Sequence, residues 1–166
     1  MTVRPIIFSG PMKALTVWQP WSSLIAIGAK PYEFRGWKPP ASLSGQRIAI
    51  HAGARPPRRA EIKELIQRLQ VASALTPCLV SELALPLLER AYRNLEMLPL
   101  SHIVCTAVVG TPKRGDECAR EFGVHTGNDS DRPGTFNWGW PMLDVQALEP
   151  PIPARGAQGL WNWSGA

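Results

Sequence analysis

The sequence predicts an α+β fold, a small β-barrel with a short helix after its first strand and a helical insertion on one flank. Three observations predict it. Seventeen prolines and fourteen glycines in 166 residues demand many turns and short elements, which suits a decorated barrel better than a helix bundle. Two segments, residues 32–37 and 47–52, alternate apolar and polar side chains with the period of a strand. All seven tryptophans lie near the chain ends, at 18, 21, 37, 138, 140, 161 and 163. Large aromatic rings cluster, so the two ends of the chain are expected to meet and close one barrel, with most of these rings filling its core.

The elements follow in order. Residues 1–11 read as an N-terminal extension, because the organised pattern begins at residue 12; either Met1 or Met12 can serve as the natural start. Residues 13–18 (KALTVW) are β-prone. Pro20 suits the first position of a helix, Trp21, Leu24 and Ile25 follow at helical spacing, and Gly28 suits the stop, giving a helix over 20–28. In the next strand, 32–37, Tyr32 and Phe34 share one face and Glu33, Arg35 and Trp37 the other. In residues 47–52 (RIAIHA), Ile48 and Ile50 face the core, with Arg47, Ala49 and His51 opposite. Ile62, Leu65, Ile66 and Leu69 mark an amphipathic helix. Leu88, Ala91, Tyr92 and Leu95 mark a second, starting near Pro86, after a turn at Thr76-Pro77. The helical insertion thus spans about residues 57–98 of a domain running from 12 to 166.

Residues 102–110 are apolar on both faces and predict a central strand. Residues 111–135, rich in Gly, Asp and Arg, read as a long loop, a lid or a mobile connection. Strand character resumes at 136–148, with Pro141 expected at a bulge or an edge. A Pro-rich turn over 149–155 then leads to a last strand, 158–163.

Composition narrows the class. Hydrophobic residues make up 45% of the chain, so it is no disordered tail. Three cysteines, none two residues from another, predict neither a disulfide framework nor a zinc site, and the three histidines are widely spaced. No metal and no cofactor is expected. No apolar run approaches a membrane span of roughly 20 residues, and the first residues lack a signal-peptide pattern, so a soluble, cytoplasmic protein is expected, with no membrane partner. The net charge of +5 is unevenly spread: residues 1–60 carry nine basic groups and one acid, residues 61–166 nine basic groups and twelve acids. That segregation suits a polyanion, though a solvated basic surface has the same composition.

The candidate site falls between residues 19 and 59. Lys30 precedes Glu33 by three residues. It is a phosphate contact or plain surface group in one reading, and a base or nucleophile if a tryptophan-walled cleft desolvates it in another. Glu33 and Arg35, two apart on one strand face, form an ion pair, or divide the work of accepting from a base amino group and binding phosphate. His51 is either a hydrogen-bonded, partly buried histidine or an acid/base. Arg55, Arg58 and Arg59 stand at a helix start, where positive charge opposes the dipole, so bound phosphate is a reasonable expectation. Gln19 either reads a base edge or caps the helix; Trp21 and Trp37 either pack or stack on a base. Phosphate-loop, dinucleotide, nucleophile-elbow and zinc-deaminase signatures are absent.

Trp18-Gln19-Pro20-Trp21, then Gly28, Lys30, Glu33 and Arg35, then Ile50-His51-Ala52, together resemble the ASCH family, whose signature is Gly-x-Lys-x-x-Glu-x-Arg after a short helix. The closing Gln158-Gly159-Leu160-Trp161 is similar to the last strand of several members. The resemblance covers about 40 residues closely. It implies a PUA-like β-barrel with the motif lining a cleft, and RNA, single-stranded nucleic acid or a nucleotide-like ligand as partner. Some small members are hydrolases, either amidohydrolases on acylated cytidine or ribonucleases, with the motif lysine catalytic in the former. If the chain is an enzyme, the resemblance implies a catalytic Lys30, and the residue-by-residue reading adds Glu33 and His51 to the catalytic set. This sequence departs from the amidohydrolase pattern, which has threonine where Glu33 stands, and its central strand after His102 offers no matching glutamate. A protein-interaction domain with a basic face is the third reading.

Overall fold

A computed structural model describes residues 10–71, 77–123 and 137–165. The fold is α+β, a mixed sheet curled into a half-barrel with helices on its flank. Strand β1 (Met12–Val17) leads into a short helix α1 (Trp21–Ala26), with Pro20 as its N-cap. Gly28 takes φ +77° and turns the chain out of the helix, a conformation in which a Cβ is strained. Strand β2 (Tyr32–Arg35) follows, then a 3-10 turn (Ala41–Leu43) and β3 (Arg47–Ala52). Helices α2 (Arg59–Gln70) and α3 (Ser81–Arg93) come next, then β4 (His102–Val109), the two-residue β5 (Lys113–Arg114), α4 (Gly115–Glu121), β6 (Trp138–Pro153) and β7 (Leu160–Trp163).

The strand order is β2-β6-β4-β3-β1-β7, with β5 beside β6. β1 and β3 run parallel, and the other neighbours are antiparallel. A parallel pair needs a crossover. Here α1 and β2 supply it, and the crossover carries β2 to the far end of the sheet. The chain ends do meet: Met12 lies opposite Trp163 and Ala14 opposite Trp161. Only Trp140 and Trp163 are buried, however. Trp21, Trp138 and Trp161 are half-buried, and Trp18 and Trp37 are exposed.

Three hydrophobic clusters explain the alternation. Leu15, Val17, Ile48, Ile50 and Val109 pack with Trp140 and with Ile25 of α1. The neighbouring Leu24 of α1 faces the other way, into a helical core with Ile62, Leu65, Leu69 and Leu88. The short helix therefore ties the sheet to the α2–α3 pair. Ala14 and Ala49 pack with Ile103, Leu148 and Trp163, so the face of β3 that carries Arg47 and His51 is not a polar surface.

Four details differ from the sequence reading. Helix α3 begins at Ser81, five residues before Pro86, which sits inside it. Its missing N–H forfeits one intrahelical bond, and the buried stripe of Ala84, Leu87, Leu88 and Ala91 holds the helix across that gap. Part of the polar stretch 111–135 is ordered as β5 and α4; residues 124–135 of it lie outside the described residues, as do residues 1–9 and Thr76. Pro141 lies in an interior strand. Its carbonyl accepts from Gly110 N–H, and Met142 N–H donates to Pro31 O, so the pairing continues around it. The irregular register falls just beyond, near Leu143 to Gln146, where Asp144 takes φ +43°. The prolines at 150, 151 and 153 do not end β6, which pairs with β4 as far as Pro153 opposite His102.

Candidate functional site

The order of the strands leaves β2 at one end and β7 at the other, and a cleft of about 840 Å³ lies between β2 and the β1–β3 pair. Thr16 and His51 form one wall; Glu33, Phe34 and Arg35 form the facing wall. Trp18 and Trp21 stand at one end, and the segment 155–159 closes the other side.

The motif residues assemble as an ion trio, with Lys30 and Glu33 buried and Arg35 half-buried. Lys30 Nζ donates to Tyr32 O at 2.6 Å and lies 3.5 Å from Glu33 Oε2. The other carboxylate oxygen of Glu33 is 3.2 Å from Arg35 Nε, within ion-pair reach but off hydrogen-bond geometry. Arg35 Nη2 donates to Thr16 O at 2.6 Å. Glu33 is 7% exposed and Lys30 6%. Burying such charges is tolerable only because each has an opposite partner. Lys30 also lies 4.9 Å from the Phe34 ring centre and 5.4 Å from that of Trp21. It stands behind the cleft wall and does not line the cleft.

His51 is buried at the cleft wall. Its Nε2 meets Ala154 O at 2.8 Å, its Nδ1 meets Thr16 Oγ1 at 3.1 Å, and its ring meets Trp161 edge-on. Burial pushes its pKa below the ordinary value, the bond to the Ala154 carbonyl opposes this, and His102 adds a smaller lowering. Thr16 Oγ1 also donates to Ala157 O at 2.6 Å and accepts from Trp161 Nε1 at 3.0 Å.

Trp21, Glu33, Arg35 and His51 thus share one cleft. The other expected residues sit elsewhere. Gln19 is buried; its Nε2 donates to Pro99 O and its Oε1 accepts from Ser23 N–H, so it caps α1 and does not line the cleft. Trp37 packs edge-on against Trp140, its carbonyl accepting from that indole, away from the cleft lining. Arg55 and Arg58 both bind the Glu61 carboxylate, and Arg59 lies over the Tyr92 ring. Glu61 is the third residue of α2, and its Oε2 also accepts from Arg58 N–H at 3.2 Å. That acid offsets part of the positive charge at the helix start. Elsewhere in the basic N-terminal part of the chain, Arg47 pairs with Asp144, and Lys38 lies over Trp138.

Sequence reasoning missed four parts of the cleft. Trp18 is 56% exposed at its rim, with the Arg55 guanidinium 4.7 Å from its ring centre. Thr16 joins both walls. Arg155 supplies a second cleft cation. Gly156 lies so close to His51 that any Cβ would overlap the imidazole. Trp18 directly follows β1 and was legible as two residues on from Thr16; nothing local marked Arg155. A second groove of about 310 Å³, containing Arg55, Glu61, Glu64 and Arg68, adjoins the cleft at Trp18 and Trp21. Among the described residues no group of three or more His, Cys, Asp or Glu could hold a metal, and no helix is long and apolar enough to cross a membrane.

No family model and no curated protein matches the chain. Solved structures of an ASCH protein from Zymomonas mobilis are similar to it. One has 16% identity and a TM-score of 0.48 over 90% of this chain and 85% of that one. Two single-site mutants of that protein give TM-scores of 0.49 at 16% and 13% identity, each over 90% of this chain, and over 85% and 87% of their own.

Proposed function

We propose that this chain is an ASCH-type domain that binds single-stranded RNA or a nucleotide-like ligand in the cleft between β1 and β2. The observation that carries the reading is the joining of the motif's Glu33 and Arg35 to an indole-rimmed cleft. Lys30 already balances Glu33 from behind, so Arg35 and Arg155 leave the cleft with net positive charge. Cations that meet phosphate and an exposed indole that stacks on any base are the two parts of sequence-tolerant binding of single strands. Trp18, not Trp37, is the stacking platform, and Arg155 takes the phosphate role that Arg58 and Arg59 were expected to fill.

A hydrolytic reading is favoured by one observation: a carboxylate, Glu33, and an imidazole, His51, line the same cleft. Lys30 suits catalysis poorly, because its ammonium is already held by Tyr32 O and Glu33.

Tryptophan fluorescence titration separates the readings. Single-stranded RNA and free nucleosides, including N4-acetylcytidine, would be added at two salt concentrations, with product followed by chromatography. Salt-sensitive quenching by RNA without product supports the binding domain. Conversion of a nucleoside or cleavage of the RNA, lost on Glu33→Gln, supports a hydrolase instead. Silence towards every ligand overturns both and leaves a protein-interaction domain.

A further inference from the structure

The hydrogen bonds at the cleft wall contain one more acceptor than a neutral His51 can serve. Ala154 O can only accept, so His51 Nε2 must carry a proton. In a neutral ring Nδ1 is then a bare acceptor. It faces Thr16 Oγ1, whose single proton also has Ala157 O within 2.6 Å. The Trp161 indole donates into the same hydroxyl and supplies nothing to Nδ1. With a neutral ring, either Nδ1 or Ala157 O therefore goes without a protein donor, and exposed Ala157 O can turn to solvent. With an imidazolium every group is satisfied: Nδ1–H donates to Thr16 Oγ1, and Thr16 donates to Ala157 O.

The second observation concerns what that hydroxyl holds. Residues 155–158 belong to no strand or helix and are exposed. Among the described residues their one hydrogen bond is the one from Thr16 to Ala157 O. The flanking anchors are backbone bonds, from Ala154 N–H to Ser101 O and from Thr16 N–H to Gly159 O. Gly156 rests directly on the imidazole.

We infer that His51 is a proton-operated latch: protonation fastens the 155–158 segment through Thr16, and loss of the proton releases it. The charged and titratable groups around the ring are Arg155 on the segment, Glu33 and Arg35 across the cleft, and His102 on β4. Arg155 and Arg35 are cations, and Glu33 is matched by Lys30 and Arg35, so the proton is held by the hydrogen-bond chain and not by a carboxylate. Burial works against the charged ring, so the latch closes at a pH below the ordinary histidine range. The segment is one wall of the cleft. If the cleft takes an anion, as proposed above, binding draws in one proton and tightens as pH falls. The latch itself does not depend on that reading.

The test uses the full chain without ligand, followed by NMR from pH 8 to pH 4. The His51 ring carbon Cε1, the Trp161 indole N–H and the backbone order parameters of residues 155–158 are read together. The expected result is one shared midpoint, with order parameters rising towards about 0.85 below it from markedly lower values above it. Thr16→Val is expected to lower the His51 midpoint and leave the segment loose at every pH, and Thr16→Ser to restore both. Three results would overturn the latch: order parameters indifferent to the His51 titration, a His51 midpoint unmoved by Thr16→Val, or a His51 that stays neutral down to pH 4. If Thr16→Val does not fold, the order parameters of the unaltered chain decide alone. Because no ligand is present, failure here leaves the RNA-binding reading standing, and the reverse also holds.

Discussion

Arg35 Nη2 donates to the backbone carbonyl of Thr16 at 2.6 Å, and this bond spans the gap between the first strand of the sheet order and the strand next to its last. The same guanidinium lies 3.2 Å from Glu33. A charged donor on a partly buried carbonyl is worth about 2 kcal/mol. Arg35→Ala is therefore expected to lower the denaturant-derived stability by about that amount. Arg35→Lys should recover little, because an ammonium lacks the fork that reaches both partners. Unchanged stability in both variants would show that the bond contributes nothing.

Lys30 gives a sharper case. A surface lysine or a free nucleophile can be truncated without cost to the fold. Here Lys30→Ala leaves Glu33 buried with only Arg35 beside it. Removing one partner of a buried pair costs about 3 kcal/mol or more. Chemical denaturation of Lys30→Ala is expected to show that loss, and the double variant Lys30→Met/Glu33→Gln a smaller one. A Lys30→Ala protein as stable as the unaltered chain would contradict the ion-trio geometry.

The start of α2 titrates in acid. The Arg55 guanidinium, helped by the backbone and side chain of Arg58 and opposed by partial burial, holds Glu61 at about 2 against an ordinary 4.5. A carboxylate held lower in the folded than in the unfolded state stabilises the fold above its unfolded value. That contribution is lost as pH falls from 4.5 towards about 2. The side chain is 30% exposed, so the effect is small, of the order of a surface pair at about 0–1 kcal/mol. Thermal melts across this range should show a shallower acid loss in Glu61→Gln. Parallel profiles for the two proteins would remove Glu61 from the account.

Binding should separate the arginines. Trp18 is exposed, so Trp18→Ala is expected to leave the melting temperature in place while weakening RNA binding by about 1–3 kcal/mol. Arg155→Ala should weaken it and lower the salt slope by about one unit. Charge reversal at Arg58 and Arg59 is expected to change it far less, since those side chains stand on Glu61 and Tyr92. Fluorescence titrations at several salt concentrations read all three. A larger loss on reversing Arg58 and Arg59 than on removing Arg155 would move the interface to α2.

What the sequence made legible is what short-range pattern encodes. Alternation in residues 47–52 placed β3 to the residue, and the stripe from Ile62 to Leu69 placed α2. The Gly28–Arg35 spacing brought Lys30, Glu33 and Arg35 together, because a helix stop and a four-residue strand leave them few other positions. The rest depends on distant pairing. Thr16 meets Ala157 across 141 positions and Gln19 meets Pro99 across 80. No local pattern carries either contact. The extension of β6 through Pro150 and Pro153 ran against proline's poor fit to strands, and was decided by its pairing with β4. The N-terminal surplus of positive charge shows the same limit: composition counts charges but does not show that Glu61 meets Arg55 and Arg58 and that Asp144 meets Arg47.

The central claim is that the cleft between β1 and β2 takes a single strand of nucleic acid. The most direct measurement is an NMR titration of the isotope-labelled chain with a short single-stranded RNA at low and high salt. The account predicts shifts concentrated on the Trp18 and Trp21 indoles, Arg35, His51 and residues 155–158, fading as salt rises. Shifts confined to the outer faces of α2 and α3, or none at low salt, would contradict it.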